Sequence, residues 1–164
     1  DYSGSIILDV LVQPTEEVID YLTEGTGFLP SHFLHDDPIF LDDVLEFQDV
    51  RQRVQDTIHG QNLVGYELWI HLQSLQLRHP ANKTRDVATY LPLLEGLIPG
   101  EDNFKEMVRQ FLGRDIHERI ETATEDSFAA MALFKLCETD WEASITNNVW
   151  PCILPPPEYL QWYT

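Results

Sequence analysis

The sequence predicts an α/β fold, and two features of the chain indicate it. Segments 5–12 and 63–65 are short and apolar, as buried strands are. Longer segments around them carry apolar residues at helical spacing. At 164 residues and 43% hydrophobic content, the chain is long enough to bury a sizeable core in one domain.

The first elements we predict are a strand and a short helix. Residues 5–12 end before Pro14, which cannot continue a strand. Thr15 can cap a helix over 15–22, with Glu16 and Glu17 well placed in its first turn.

A histidine-containing loop and a longer helix follow. His32, His35, Asp36 and Asp37 lie near prolines and could bind a metal, but no apolar pattern holds the four together, so a solvated loop is favoured. Either Asp42 or Asp43 can cap a helix that runs to His59, and Gly60 closes it. Its inner stripe comprises Val44, Phe47, Val50, Val54 and Ile58.

Gly65 marks the point where a buried strand turns into an amphipathic helix. In an open α/β sheet such a junction lies at the carboxyl end of a strand, where ligands usually bind. The side chains of the first helical turns are therefore candidates for a site. They are Tyr66, Glu67, Ile70 and His71.

Three further elements complete the predicted fold. Residues 84–88 form a short strand, and residues 102–112 form a helix. The last helix begins near Thr122, whose spacing to Glu125 makes a capping box, and it extends to about Trp141.

Composition limits the classes of partner. With 28 acidic and 10 basic residues, the formal net charge is −18, which disfavours nucleic acid because phosphates are bound mostly by Lys and Arg. The basic residues that could still form a local patch are Arg51, Arg53, Arg78, Lys83, Arg85, Lys105, Arg109, Arg114 and Arg119. No apolar run suits a membrane span, so we expect an intracellular protein of the nucleus or cytoplasm. Cys137 and Cys152 are expected to be free thiols.

The junction resembles the second motif of the DEDD-type 3′–5′ exonucleases, V-G-H-x-L-x-x-D-L-x-x-L. The matching residues are Val64, Gly65, Leu68, Leu72 and Leu75. The likeness is to the histidine-bearing DEDDh group, which includes the REX-type RNA exonucleases and the Pan2 nuclease domain. Tyr66 replaces the histidine of the motif, and His71 replaces its aspartate.

Other segments extend the resemblance over about residues 5–142. Residues 9–28 resemble the third strand of the family and the segment that follows it. Arg85–Asp86 resembles the family's R-D-T. The third motif, I-Q-x-G-x-H-x-S-x-E-D-A-x-A-A-M, aligns with Ile116, His117, Arg119, Glu121, Ala123, Glu125, Asp126, Ser127, Ala129, Ala130 and Met131.

The resemblance implies an RNase H-like scaffold, with a reduced mixed sheet flanked by helices and the first two strands missing. Family members cut RNA with two divalent metals, four carboxylates and a histidine base. The first motif, D-x-E, does not occur in a strand-like context in this chain. His71 stands at a ligand position and Glu121 at that of the base, so Asp126 alone is retained.

Because packing positions match while catalytic ones do not, we predict a catalytically inactive pseudoexonuclease without cofactor. It would act by protein interaction in RNA processing or decay. One alternative is an active exonuclease whose first motif lies outside this chain, with Mg²⁺ or Mn²⁺ on Asp126 and His71. Others are a non-cleaving RNA-binding module, or one metal held by Glu67, His71, Glu121 and Asp126.

The sequence also suggests where a partner would bind. The missing strands would leave a sheet incomplete, and a protein partner or a second copy could fill it. Residues 1–142 are expected to form the exonuclease-like domain, and residues 143–164 a tail that packs on it or on a partner. Within the tail, Pro156, Pro157 and Tyr159 form a P-P-x-Y pattern that resembles WW-domain ligands.

Overall fold

A computed structural model describes residues 1–33, 44–98 and 102–164. The elements in chain order are β1 (Leu11–Val12), α1 (Thr23–Thr26), β2 (Val44–Leu45), α2 (Phe47–Ile58), β3 (Leu63–Gly65), α3 (Leu68–Ser74), β4 (Thr84–Asp86), α4 (Leu91–Gly96), α5 (Asn103–Leu112) and α6 (Ala123–Thr146). Short 3₁₀ helices span Pro30–Phe33, Ala81–Lys83 and Pro157–Trp162. The predicted α/β class is confirmed.

The sheet is reduced to two parallel pairs within the described segments. Strand β1 pairs with β2, with Leu11 opposite Val44. Strand β3 pairs with β4, with Gly65 opposite Asp86. The two pairs are not joined to each other, so along these segments β3 has a strand neighbour on one edge only.

The core lies between the β3–β4 pair and helices α4, α5 and α6. Met107 and Val108 of α5 and Leu133 and Trp141 of α6 are fully buried in it. The Trp141 ring stacks on Tyr90 with a centroid separation of 4.0 Å. Helix α6 therefore lies at the centre of the core.

Asp86 at the end of β4 holds the start of α3. Its carboxylate accepts hydrogen bonds from the backbone N–H groups of Glu67 (2.9 Å), Leu68 (2.7 Å) and Ala88 (3.1 Å). Two of these donors belong to the beginning of α3, where N–H groups lack partners within the helix. A Cβ atom at Gly65 would lie 2.9 Å from Leu68 Cγ, so the tight junction excludes a side chain there.

The tail packs across the domain. The His79 N–H donates to the carbonyl of Trp162, and the Ile153 N–H donates to that of Thr89. The Tyr163 hydroxyl donates to Asp86 over 3.2 Å. These bonds fix residues 151–164 against α3, β4 and the segment that joins them.

Several predicted elements in the first third of the chain are wrong in extent. The strand predicted over 5–12 is limited to Leu11–Val12, and Thr15 caps no helix because α1 begins only at Thr23. Helix α2 begins at Phe47, since Val44 lies in β2. The proposed caps Asp42 and Asp43, and the loop residues His35, Asp36 and Asp37, lie outside the described residues.

The helices of the second half match their predicted starts. Asp102 caps α5 by accepting from the N–H groups of Phe104 and Lys105, and Thr122 caps α6 by accepting from that of Glu125. Helix α6 continues past the predicted end at Trp141 and runs to Thr146. Within the described segments, no helix combines the length and apolar character that crossing a membrane requires.

Candidate functional site

The strand-to-helix junction borders a cavity of about 210 Å³. Gly65, Tyr66 and His71 form one side of it, and Phe104 and Asp126 lie on another. The fold thus brings together His71 and Asp126, which the sequence places 55 positions apart. Glu67 and Glu121, the other two predicted site residues, do not line this cavity.

Asp126 is bonded to a histidine that the sequence analysis did not assign to the site. Nε2 of His117 makes a hydrogen bond with Oδ1 of Asp126. The backbone of His117 has a φ of 58°, and its N–H donates to Glu125 over 3.0 Å. This turn before α6 directs the imidazole back onto the first turn of the helix.

The other nitrogen of His117, Nδ1, is buried and has no hydrogen-bond partner among the described residues. Its nearest acidic atom is Oε1 of Glu121, at 3.8 Å. The ring of His117 therefore approaches two carboxylates, those of Asp126 and Glu121.

Glu121 is exposed, and its nearest cation is Lys105. The Lys105 Nζ lies 3.8 Å from Oε1 of Glu121 and 3.7 Å from Oδ2 of Asp102. Exposed pairs of this kind contribute about 0–1 kcal/mol to stability, so they matter here for local charge. A lysine on α5 thus offsets negative charge beside the cavity.

Glu67 and His71 form a second small group at the start of α3. Burial raises the pKa of Glu67, His71 lowers it, and Asp102 raises it. Glu67 adopts a φ of 48° at the junction, which is rarely seen outside glycine and asparagine. His71 is exposed on the next helical turn.

Tyr66 occupies the position of the histidine in the second motif and fills space with an aromatic ring. It stacks on Phe104 with a centroid distance of 4.4 Å. Burial raises the pKa of the Tyr66 hydroxyl above its ordinary value, so it stays protonated at neutral pH. This side chain narrows the cavity.

Across the three described segments, no group of three or more His, Cys, Asp or Glu side chains is arranged to hold a metal ion. The one-metal arrangement of Glu67, His71, Glu121 and Asp126 is therefore not formed. Of the four, His71 and Asp126 share the cavity, and Glu67 and Glu121 lie outside it.

The P-P-x-Y residues of the tail lie away from the cavity. Pro157 and Tyr159 belong to the 3₁₀ helix Pro157–Trp162, and the Tyr159 ring lies 6.4 Å from that of Trp69. A WW domain binds the extended polyproline II form, so binding would require this helix to unwind. Recognition by a WW domain stays a prediction.

Similar proteins in other organisms carry the name RNA exonuclease 4. The mouse protein is 30% identical over 152 residues, which cover 93% of this chain and 33% of the mouse protein. That of Cryptococcus neoformans is 32% identical over 145 residues, 88% of this chain and 34% of the relative. The chain spans about a third of the length of these relatives. No protein-family model matches it.

Solved structures of Pan2 share the fold. The Neurospora crassa Pan2 catalytic unit, with protease and nuclease domains, superposes with a TM-score of 0.69 at 19% identity, over 88% of this chain and 23% of that one. The RNA-bound Saccharomyces cerevisiae Pan2 pseudoubiquitin hydrolase–RNA exonuclease module gives 0.66 at 24% identity, over 88% and 24%. The fold is that of an RNase H-like exonuclease domain, with a reduced sheet.

The curated relatives and the shared fold point the same way. The chain is similar in sequence to proteins named RNA exonuclease 4, over about a third of their length, and in fold to the Pan2 nuclease structures.

Proposed function

We propose that this chain is a catalytically inactive exonuclease-like domain that binds protein in RNA processing or decay, in the nucleus or cytoplasm. One observation carries the proposal: Asp126, the single ligand carboxylate retained, is bonded to His117. In our proposal this bond engages a carboxylate that would bind a metal in an active member of the resembled family.

The residues present do not fit a two-metal centre. Two divalent cations about 4 Å apart need several carboxylates to offset their mutual repulsion, and Mg²⁺ in particular prefers oxygen ligands. The cavity offers one carboxylate, from Asp126, and one imidazole, from His71. The donor set therefore lacks both the charge and the oxygen atoms that such a centre requires.

The residue at the position of the general base is also unsuited to the reaction. Glu121 replaces the histidine of the motif and is exposed beside Lys105. Histidine is the most common general base near neutral pH, and this position carries an exposed carboxylate instead. The imidazole of His117, which lies 3.8 Å from Glu121, is hydrogen-bonded to Asp126.

The protein-binding half of the proposal depends on the open side of β3. A groove of about 460 Å³ runs between the N-terminal segment and β3, beside α6. The apolar residues that line it include Ile6, Ile7, Leu63, Val64, Phe128 and Met131. In the RNase H-like order 3-2-1-4-5, a missing strand would lie at this edge. We infer that an extended, apolar segment of a protein partner adds here by strand pairing.

A charge placed in the groove tests this function. Ile7 lines the groove and is 62% exposed, so Ile7→Glu will leave folding intact but place a carboxylate in the apolar contact. Ile19, 100% exposed and outside the groove, gives the matched control Ile19→Glu. A partner purified from the source cell should bind the unmodified chain and Ile19→Glu equally, and Ile7→Glu at least tenfold more weakly.

Equal binding by all three chains would remove the groove from the proposal. Loss of self-association in Ile7→Glu, measured by light scattering, would instead assign the groove to a second copy.

The active-exonuclease alternative has its own support. His71 and Asp126 share one cavity, and the chain spans only about a third of its relatives, so a D-x-E segment in a longer protein could complete the site with Mg²⁺ or Mn²⁺. This alternative requires the His117–Asp126 bond to open.

A further inference from the structure

A second and larger cavity, of about 610 Å³, lies at the other end of α3. Its cationic lining residues are Arg51 on α2, Arg78 after α3 and Lys83 before β4. These are three of the ten lysine and arginine residues in a chain of net charge −18. None of the residues that line this basic pocket is Asp or Glu.

The cations of the basic pocket differ from other basic residues in what they contact. Arg85 is bonded to Glu142 over 2.6 Å, and Arg109 to Asp115 over 2.7 Å. Arg51 instead donates to the backbone carbonyl of Gln76 over 3.2 Å, and Lys83 to that of Gly60 over 2.5 Å. Carbonyl groups orient these side chains without cancelling their charge.

No ion pair formed within the described segments includes Arg51, Arg78 or Lys83. Positive charge without a paired carboxylate attracts anions locally, although the whole molecule repels them at long range.

Aromatic rings complete the wall of the basic pocket. Trp162, from the packed tail, lines it, and its indole Nε1 is buried without a hydrogen-bond partner among the described residues. His79 also lines it, and burial lowers the pKa of its imidazole, so this ring contributes a neutral surface. Nucleobases stack on aromatic faces.

We propose that the basic pocket binds a nucleotidyl phosphate, with the phosphate against Arg51, Arg78 and Lys83 and the base against Trp162. Guanidinium groups pair with phosphate oxygens in a bidentate manner, and the cavity volume falls within the range of small-ligand sites. The nucleotide is either free or part of a single-stranded RNA, since both present the same chemistry.

The basic pocket is separate from the cavity at the family's active-site position. The two share no lining residue, and helix α3 of seven residues, about 10 Å long, lies between them. The inference therefore does not depend on whether the DEDDh site is active, or on the groove beside β3.

Calorimetric titration of the purified chain with adenosine monophosphate, short oligoadenylate and inorganic phosphate tests the site. The pocket variant is Arg51→Gln with Arg78→Gln. The control is Arg53→Gln with Arg114→Gln, which removes the same charge from exposed residues outside the pocket, one of them also on α2. We expect the pocket variant to bind the nucleotide at least tenfold more weakly, and the control to bind within twofold of the unmodified chain.

The probes distinguish the two sources of the nucleotide. Tighter binding of the monophosphate indicates a free nucleotide, and tighter, salt-sensitive binding of the oligomer indicates RNA; both support the proposal. Equal loss in both double variants, inorganic phosphate binding as tightly as the nucleotide, or no binding at all would overturn it. Should the pocket variant fail to fold, the single exposed change Arg78→Gln repeats the test.

Discussion

The chain with Asp86→Ala will lose about 3–5 kcal/mol of its free energy of unfolding, as expected when one partner of a buried, charge-assisted network is removed. Asp86 is 3% exposed, and three backbone N–H groups and the Tyr163 hydroxyl donate to it. Alanine would leave these donors buried without an acceptor, at the point where β4, α3 and the tail meet.

Urea unfolding followed by tryptophan fluorescence measures this loss. Asp115→Ala is the control, because Asp115 is exposed and pairs with exposed Arg109, a contact worth about 0–1 kcal/mol. A loss for Asp86→Ala no larger than that of Asp115→Ala would show that the junction does not depend on this carboxylate.

The buried carboxyl group of Asp86 also predicts that the free energy of unfolding depends on pH. Burial raises the pKa of Asp86 from 3.8 to about 7, although its four donors act in the opposite direction. Between these values the folded chain keeps a proton that the unfolded chain has lost, so stability falls as pH rises toward 7 and then levels off. The stability advantage of the unmodified chain over Asp86→Asn should therefore shrink from pH 5 to pH 7. An advantage that grows over this range would contradict the assignment.

Trp141→Ala will cost about 3–5 kcal/mol, the range for truncating a large aromatic residue in a core. Trp141 has no exposed surface, stacks on Tyr90 at 4.0 Å and meets Phe134 edge-on at 5.7 Å. Removal of the ring would open a cavity between α6 and α4 that the close-packed neighbours cannot fill.

Trp141→Phe separates ring packing from the polar group. The indole Nε1 is buried without a hydrogen-bond partner in the described structure, so phenylalanine removes an unsatisfied donor while keeping most of the stack. We expect less than half the loss seen with alanine in the same unfolding measurement. Equal losses for the two variants would mean that the indole donor has a partner.

The second half of the fold could be predicted from sequence because its signals are local. Gly65 at the junction, the cap Thr122 and the helix start at Asp102 are signals that act within a few positions of themselves, and the structure agrees with each. The N-terminal part could not, because an apolar run such as 5–12 becomes a strand only where a partner strand is available. Only Leu11–Val12 finds one, in β2.

The candidate site could be predicted only in part, because some of its contacts join residues that are not close in sequence. Motif register placed Asp126 and His71 at ligand positions, and the fold brings both to one cavity. The role of His117 depends on a backbone turn with a positive φ and on a contact across nine positions, neither of which has a periodic signature. In the alignment, His117 stands at a packing position and not at a catalytic one. The orientation of its imidazole toward Asp126 is visible only in three dimensions.

The central claim is that the one retained ligand carboxylate, Asp126, is bonded to His117 and no longer serves a nuclease site. The most direct measurement is digestion of 5′-labelled single-stranded RNA by the purified chain, in Mg²⁺ and in Mn²⁺, beside Asp126→Asn. We predict that neither chain shortens the RNA from its 3′ end. Metal-dependent shortening by the unmodified chain that Asp126→Asn abolishes would contradict the claim and establish an active exonuclease.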